Sequence, residues 1–258
     1  GSSSAKATPD MSAMPDMSGE APGKQQTQKA VQLTADAIAY CDLLKNNFPE
    51  YLNSLQLKDQ DGKLLSLDFN GNGSFMDYAK SYIIKSAEKA KAAGTDISSA
   101  DFLVYDAKNP DKIVDVDWLK YNTSVGRMKA PGAFDSRDNS TGENNLFGTA
   151  TVDNQHFIQF ASINGDGTAV ADEHIVKMMG NPLNYIAPND ASKTKEQTQH
   201  WRIRYGEKDN NTSMAVPLIV ATRLANYGYD VDFDLPWGIP HAGDYDLQEL
   251  FDWIDQLV

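Results

Sequence analysis

The chain has 258 residues, 41 % hydrophobic and 23 % charged, an ordinary globular balance with enough length to bury a sizeable core. Its 36 acidic against 23 basic side chains leave a formal charge of −13, so the averaged field repels phosphate backbones and anionic headgroups, and neither nucleic acid nor a membrane surface is an expected partner. No stretch approaches the roughly 20 apolar residues of a membrane span, Gly1 to Ala5 has neither the basic start nor the apolar run of a signal peptide, and the single Cys41 excludes an intramolecular disulfide while leaving the compartment undetermined.

Residues 1–30 are rich in Ser, Pro, Met and Gly, with Pro9-Asp10-Met11-Ser12 nearly repeated as Pro15-Asp16-Met17-Ser18. Such a composition cannot bury enough surface to offset its ordering entropy, and a flexible tail is expected. Thr34 then caps an expected helix whose Ile38, Cys41, Leu44, Phe48 and Leu52 recur at steps of three and four, with a kink or break at Pro49. Leu64 to Leu67 reads as a strand. Ser74 to Ala93 reads as a helix ended by Gly94, with Phe75, Tyr78, Ala79, Tyr82, Ile83 and Ala87 facing inward. Phe102 to Tyr105 and Ile113 to Val116 read as short strands, so this stretch makes a small, mainly helical module.

The last part has a different grammar. Trp201 to Tyr205 alternates as a strand, Ser213 to Asn226 is a helix ended by Gly228, and Val231 to Leu235 alternates again. This is one strand, helix, strand crossover, the mark of an open α/β sheet, and a closing helix follows with Leu247, Leu250, Phe251, Ile254 and Leu257 on one face. In such sheets function gathers beyond the carboxyl ends of the strands. Asp209 follows the first strand and His241 the second; if the strands are neighbours, about 4.8 Å apart, both side chains emerge at one rim. A carboxylate that accepts from an imidazole orients it as a general base for a Ser or Cys nucleophile. The alternative is a loop histidine that is merely satisfied by its surroundings.

Residues 200–258, HWRIRYGEKDNNTSMAVPLIVATRLANYGYDVDFDLPWGIPHAGDYDLQELFDWIDQLV, resemble the carboxyl-terminal part of bacterial tannases, α/β-hydrolase esterases that cleave galloyl esters. The resemblance extends upstream through Glu143-Asn144-Asn145-Leu146-Phe147-Gly148, Ala133-Phe134-Asp135 and Arg127-Met128-Lys129-Ala130, and more weakly to Gln32-Leu33-Thr34. It implies an α/β fold: residues 128–258 as the carboxyl-terminal portion of an α/β-hydrolase sheet, and 31–127 as its mainly helical inserted lid. It implies Asp209 and His241 as acid and base of a Ser–His–Asp triad, and Lys129 and Glu143 as contacts to the hydroxyls of the acyl ring. Lys donates to phenolic oxygen and a carboxylate accepts from phenolic O–H. Where the family has a third hydroxyl contact, an Asp, this chain has Asn211, which shifts the expectation toward related phenolic esters such as protocatechuoyl or feruloyl ones. No cofactor or metal is implied.

The family's Gly-x-Ser-x-Gly nucleophile elbow finds no match. Ser3, in Gly1-Ser2-Ser3-Ser4-Ala5, has no preceding strand and no second glycine to enforce that geometry. The nucleophile is therefore expected in an amino-terminal half outside these residues, on a complementary chain or segment, and this chain is expected to be inactive without it. The other reading is a non-catalytic remnant that binds a phenolic ligand or a partner. Asp68 to Ser74 has the opening of a calcium loop but Ala79 at its twelfth place, so a turn is expected, and Asp230, Asp232 and Asp234 are expected on a polar strand face. Trp237 is expected to pack structurally.

Overall fold

The computed structural model describes residues 34–126, 132, 134–166, 172–188, 198–241, 243 and 245–257. The expected tail at 1–30 lies outside the described residues. Two units are distinguished, one running from Leu33 to Ala242 and one made of Gly1–Gln32 with Gly243–Val258.

In the larger unit α1 (Ala35–Ser54) starts where Thr34 accepts a hydrogen bond from the Ala37 N–H. Of the kink or break expected at Pro49, the break does not occur: the helix runs through it. A proline inside a helix costs about 3 kcal/mol, but Leu52 is fully buried and Asn53 exchanges two 2.9 Å bonds with the Leu67 backbone, so tertiary contacts hold the turn beyond it. Those same bonds explain why Leu64 to Leu67 makes a single bridge to Lys58 instead of a strand. Leu65 and Leu67 are buried as the alternation implies, while the backbone between them is satisfied by Asn53 and Ser74 side chains. Helix α2 (Ser74–Ala92) buries Phe75, Ala79, Ile83 and Ala87. Beside it lies the antiparallel pair β1 (Leu103–Tyr105) and β2 (Ile113–Val116), followed by α3 (Trp118–Val125), which Gly126 ends in a left-handed conformation.

Two short helices, α4 (Gly142–Leu146) and α5 (Gln159–Asn164), precede the crossover itself. β3 (His200–Arg204) and β4 (Asp230–Asp234) pair in parallel, with Arg204 opposite Asp234, and α6 (Ala215–Asn226) connects them. One core joins Leu52, Ile83, Phe102 and Tyr121 to Tyr205, Leu218 and Leu235. The polar face expected for β4 is present and is paired: Asp230 with His200 at 2.8 Å, Asp232 with Arg204 at 2.6 Å, and Asp234 with Lys89 of α2 at 2.6 Å. Burial alone would lift the Asp234 pKa, yet the hydrogen bond and charge of Lys89, with the Leu235 backbone and the Arg204 charge, together outweigh it and hold the carboxyl below its ordinary range. In the smaller unit α7 (Leu247–Asp255) carries Leu247, Phe251 and Ile254 exposed. No described helix is long and apolar enough to cross a membrane.

Candidate active site

The pairing of β3 with β4 does not stop at the strand ends. Tyr205 N–H donates to the Asp234 carbonyl at 3.2 Å, Glu207 N–H to Pro236 at 3.0 Å, and Lys208 N–H to Ile239 at 2.9 Å. The two following loops are thus laced together for another turn of chain. Gly206 sits where they touch: a Cβ there would meet the carbonyl oxygens of Ile239 and, at 2.6 Å, of Pro240. Beyond it Asp209 N–H closes a turn on Gly206 at 2.9 Å, and the Tyr205 hydroxyl reaches the Asp209 and Thr212 carbonyls.

This lacing sets Asp209 Oδ2 2.9 Å from His241 Nδ1. The other carboxylate oxygen accepts from the backbone N–H groups of Asn211 at 2.8 Å and Thr212 at 2.9 Å. Asp209 is nearly buried and its orientation is fixed from both oxygens, whereas the His241 side chain is 46 % exposed. With Nδ1 engaged by a carboxylate, Nε2 is the nitrogen left to exchange a proton with a hydroxyl. The spacing of 32 residues therefore resolves into a hydrogen-bonded pair on two clipped loops.

Asn211 lies within this turn through its backbone. Glu143 lies on α4, half-buried, and makes no hydrogen bond or ion pair with Asp209, Asn211 or His241 among the described residues. Lys129 lies outside the described residues. The helix bearing Glu143 is held by a network that sequence reasoning missed. Asp135, buried, takes His156 Nδ1 at 2.5 Å, Asn144 Nδ2 at 2.8 Å and the Phe157 and Ile158 N–H groups at 2.9 and 2.8 Å, while Thr141 and Asn144 cap α4 reciprocally. The only sequence signal for it was that Asp135 and Asn144 fall within the stretches, Ala133 to Asp135 and Glu143 to Gly148, that carry the family resemblance.

An apolar concavity of about 520 Å³, lined by Phe48, Phe75, Trp118, Met214 and Ile219 among others, contains neither Asp209 nor His241 and no carboxylate or imidazole. It offers shape without acid–base chemistry. Asp68 is a turn residue, accepting from Asn70 and Asn72 N–H at 2.8 Å, and the described residues hold no cluster of three His, Cys, Asp or Glu suited to a metal ion. Trp237 packs tilted against Phe102 at 6.0 Å.

No family model and no curated protein matches the chain. Solved structures do. The tannin acyl hydrolase of Lactobacillus plantarum superposes with a TM-score of 0.78 at 42 % identity, covering 88 % of this chain and 48 % of its own. The relatives are bacterial tannases. The tannase of Fusobacterium nucleatum gives 0.77 at 44 % identity over 88 % and 47 %, and a tannin acyl hydrolase in complex with ethyl gallate gives 0.77 at 42 % over 88 % and 48 %. The resemblance read from the sequence holds: over most of its length the chain has the tannase fold, and it spans about half the length of the tannases it matches, which fits a carboxyl-terminal part. The matched fold is of the α/β-hydrolase kind, and the described residues contribute two small sheets among helices to it.

Proposed function

We propose that the chain supplies the acid–base half of a tannase-type serine esterase acting on galloyl or related phenolic esters. The observation that supports this is the 2.9 Å contact between Asp209 and His241 at the rim of a parallel strand pair, in a chain 42 % identical to tannases. His241 takes the proton of a serine through Nε2 as that oxygen attacks the ester carbonyl, and returns it to the departing alcohol. Asp209 keeps the imidazole in the tautomer with Nδ1–H and stabilises the imidazolium that forms. Lys129, Glu143 and Asn211 orient the phenolic ring, raising effective molarity through placement. Residues 31–127 serve as the lid over the site and 128–258 as the carboxyl-terminal part of the hydrolase domain.

The serine comes, in this reading, from a segment outside the 258 residues, since none of these residues matches the strand, elbow and second glycine that a nucleophile of this fold requires. The test is methyl gallate and methyl ferulate turnover by the chain assembled with a polypeptide bearing that elbow. Substituting His241→Ala in an active assembly is expected to lower kcat by about 10³-fold or more with folding intact. Turnover that survives the substitution sinks the assignment; an assembly that binds gallate without turnover supports the non-catalytic binding reading instead.

A further inference from the structure

We propose that Glu207 is the positioning residue of the Asp209–His241 pair, its buried carboxyl holding the loop that carries His241 against the loop that carries Asp209 through the Gly238 N–H. The proposal rests on reading that pair as the acid and base of an esterase.

Glu207 is wholly buried, two residues before Asp209. Its Oε2 accepts the Gly238 N–H at 3.1 Å, three residues before His241, and its own N–H donates to Pro236 at 3.0 Å. One residue thus grips the His241 loop at two points, by backbone and by side chain. Its carbonyl in turn accepts the hydroxyl of Tyr121, itself buried in α3, at 2.8 Å, so the grip is referred to the core. Tyr121 packs edge-on to Phe102, and Phe102 stands against Trp237, the residue preceding Gly238.

A carboxyl is a costly choice for such a place. Oε1 has no hydrogen-bond partner among the described residues, and a buried acid with an unmet oxygen is less stable than an apolar side chain of similar volume. What an apolar side chain lacks is an acceptor for Gly238, whose left-handed backbone, φ +73°, turns its N–H into the protein. Burial pushes the Glu207 carboxyl above its ordinary range in spite of the Gly238 bond and the nearby Lys208, and the neutral acid still offers a carbonyl oxygen to the Gly238 N–H. Gln, of the same shape and with the same acceptor, should therefore replace it; Leu should not.

The tautomer of His241 reads the positioning directly. An imidazole released into water favours the Nε2–H form, whereas one held by Asp209 keeps Nδ1–H. Ring-nitrogen chemical shifts of the full ¹⁵N-labelled chain near neutral imidazole, with its four histidines assigned through a His241→Gln variant, distinguish the two. The Nδ1–H form is expected to dominate in the unaltered chain and in Glu207→Gln, and to become the minor form in Glu207→Leu. Should the Leu variant not fold, amide exchange in the unaltered chain still decides: Gly238 N–H is expected to be protected about 100-fold or more over an unstructured peptide. A folded Leu variant with unchanged tautomer, a Gln variant that loses it, or an unprotected Gly238 overturns the proposal. In the active assembly, Leu is expected to lower kcat about tenfold with KM nearly unchanged, and Gln to restore it. If instead Asp209→Asn leaves turnover intact, the esterase reading falls while the tautomer result on the chain alone stands.

Discussion

At Gly206 the two site loops pass so close that even a methyl group has nowhere to go, since the obstacle is backbone carbonyl rather than a movable side chain. Gly206→Ala is expected to destabilise the larger unit by about 1–3 kcal/mol, the usual penalty of overpacking, which thermal unfolding followed by circular dichroism will register as a lower Tm. Glu207 makes a pH prediction whose sign follows from its raised pKa. The folded chain holds this proton more tightly than the unfolded chain, so the stabilisation is complete below the unfolded carboxyl value and is lost as pH rises through the folded one. Urea titrations from about pH 5 to about pH 9 should therefore show Glu207→Gln gaining on the parent chain as pH rises; a constant difference across that window counts against it. Asn211 bears on selectivity. Restoring a charged acceptor with Asn211→Asp should favour methyl gallate over methyl ferulate in kcat/KM by about tenfold, the difference between a neutral and a charge-assisted hydrogen bond.

Among the elements, α3 is the one whose contribution to the site is easiest to isolate. Tyr121→Phe removes a single hydroxyl from a buried bond to the Glu207 carbonyl and leaves the edge-on ring contact with Phe102 in place. A loss of about 0.5–1.5 kcal/mol is expected from urea unfolding, and no change in secondary structure. The ion pairs along β3 and β4 are a different matter, being partly exposed, and each contributes little. Their use is in register: the His200–Asp230 pair and the Arg204 bond to Asp232 suit only the alignment that sets Arg204 opposite Asp234. A slip of one residue would turn Phe233 and Leu235 out of the core and separate the loops.

At the scale of the molecule, β3 has only β4 as a neighbour among the described residues, although parallel strands are usually found in larger sheets covered on both faces. The apolar side chains of α7 and the apolar concavity beside α6 likewise present surface to water. The chain by itself is therefore expected to self-associate, or to be taken up by a complementary segment that completes the sheet. Sedimentation velocity at several loading concentrations checks this, and a monomer unchanged over the whole range would count against it. With a charge of −13, the association should strengthen as pH falls toward the isoelectric point near 4.6.

Periodicity and spacing in the sequence were enough for α2, α6 and the strands β1 to β4, because side-chain period and crossover length are local properties of a chain; the juxtaposition of Asp209 with His241 followed from spacing only on condition that β3 and β4 pair, and from the family resemblance. The continuity of α1 through Pro49, the single bridge that Leu64 to Leu67 makes in place of a strand, the Asp135 network beneath Glu143 and the Glu207 bond to Gly238 were decided by the tertiary structure. Each depends on which groups, remote in sequence or of an unremarkable residue type, are brought together in buried or partly buried places, where reduced contact with water lets a single amide or carboxyl outweigh a local preference.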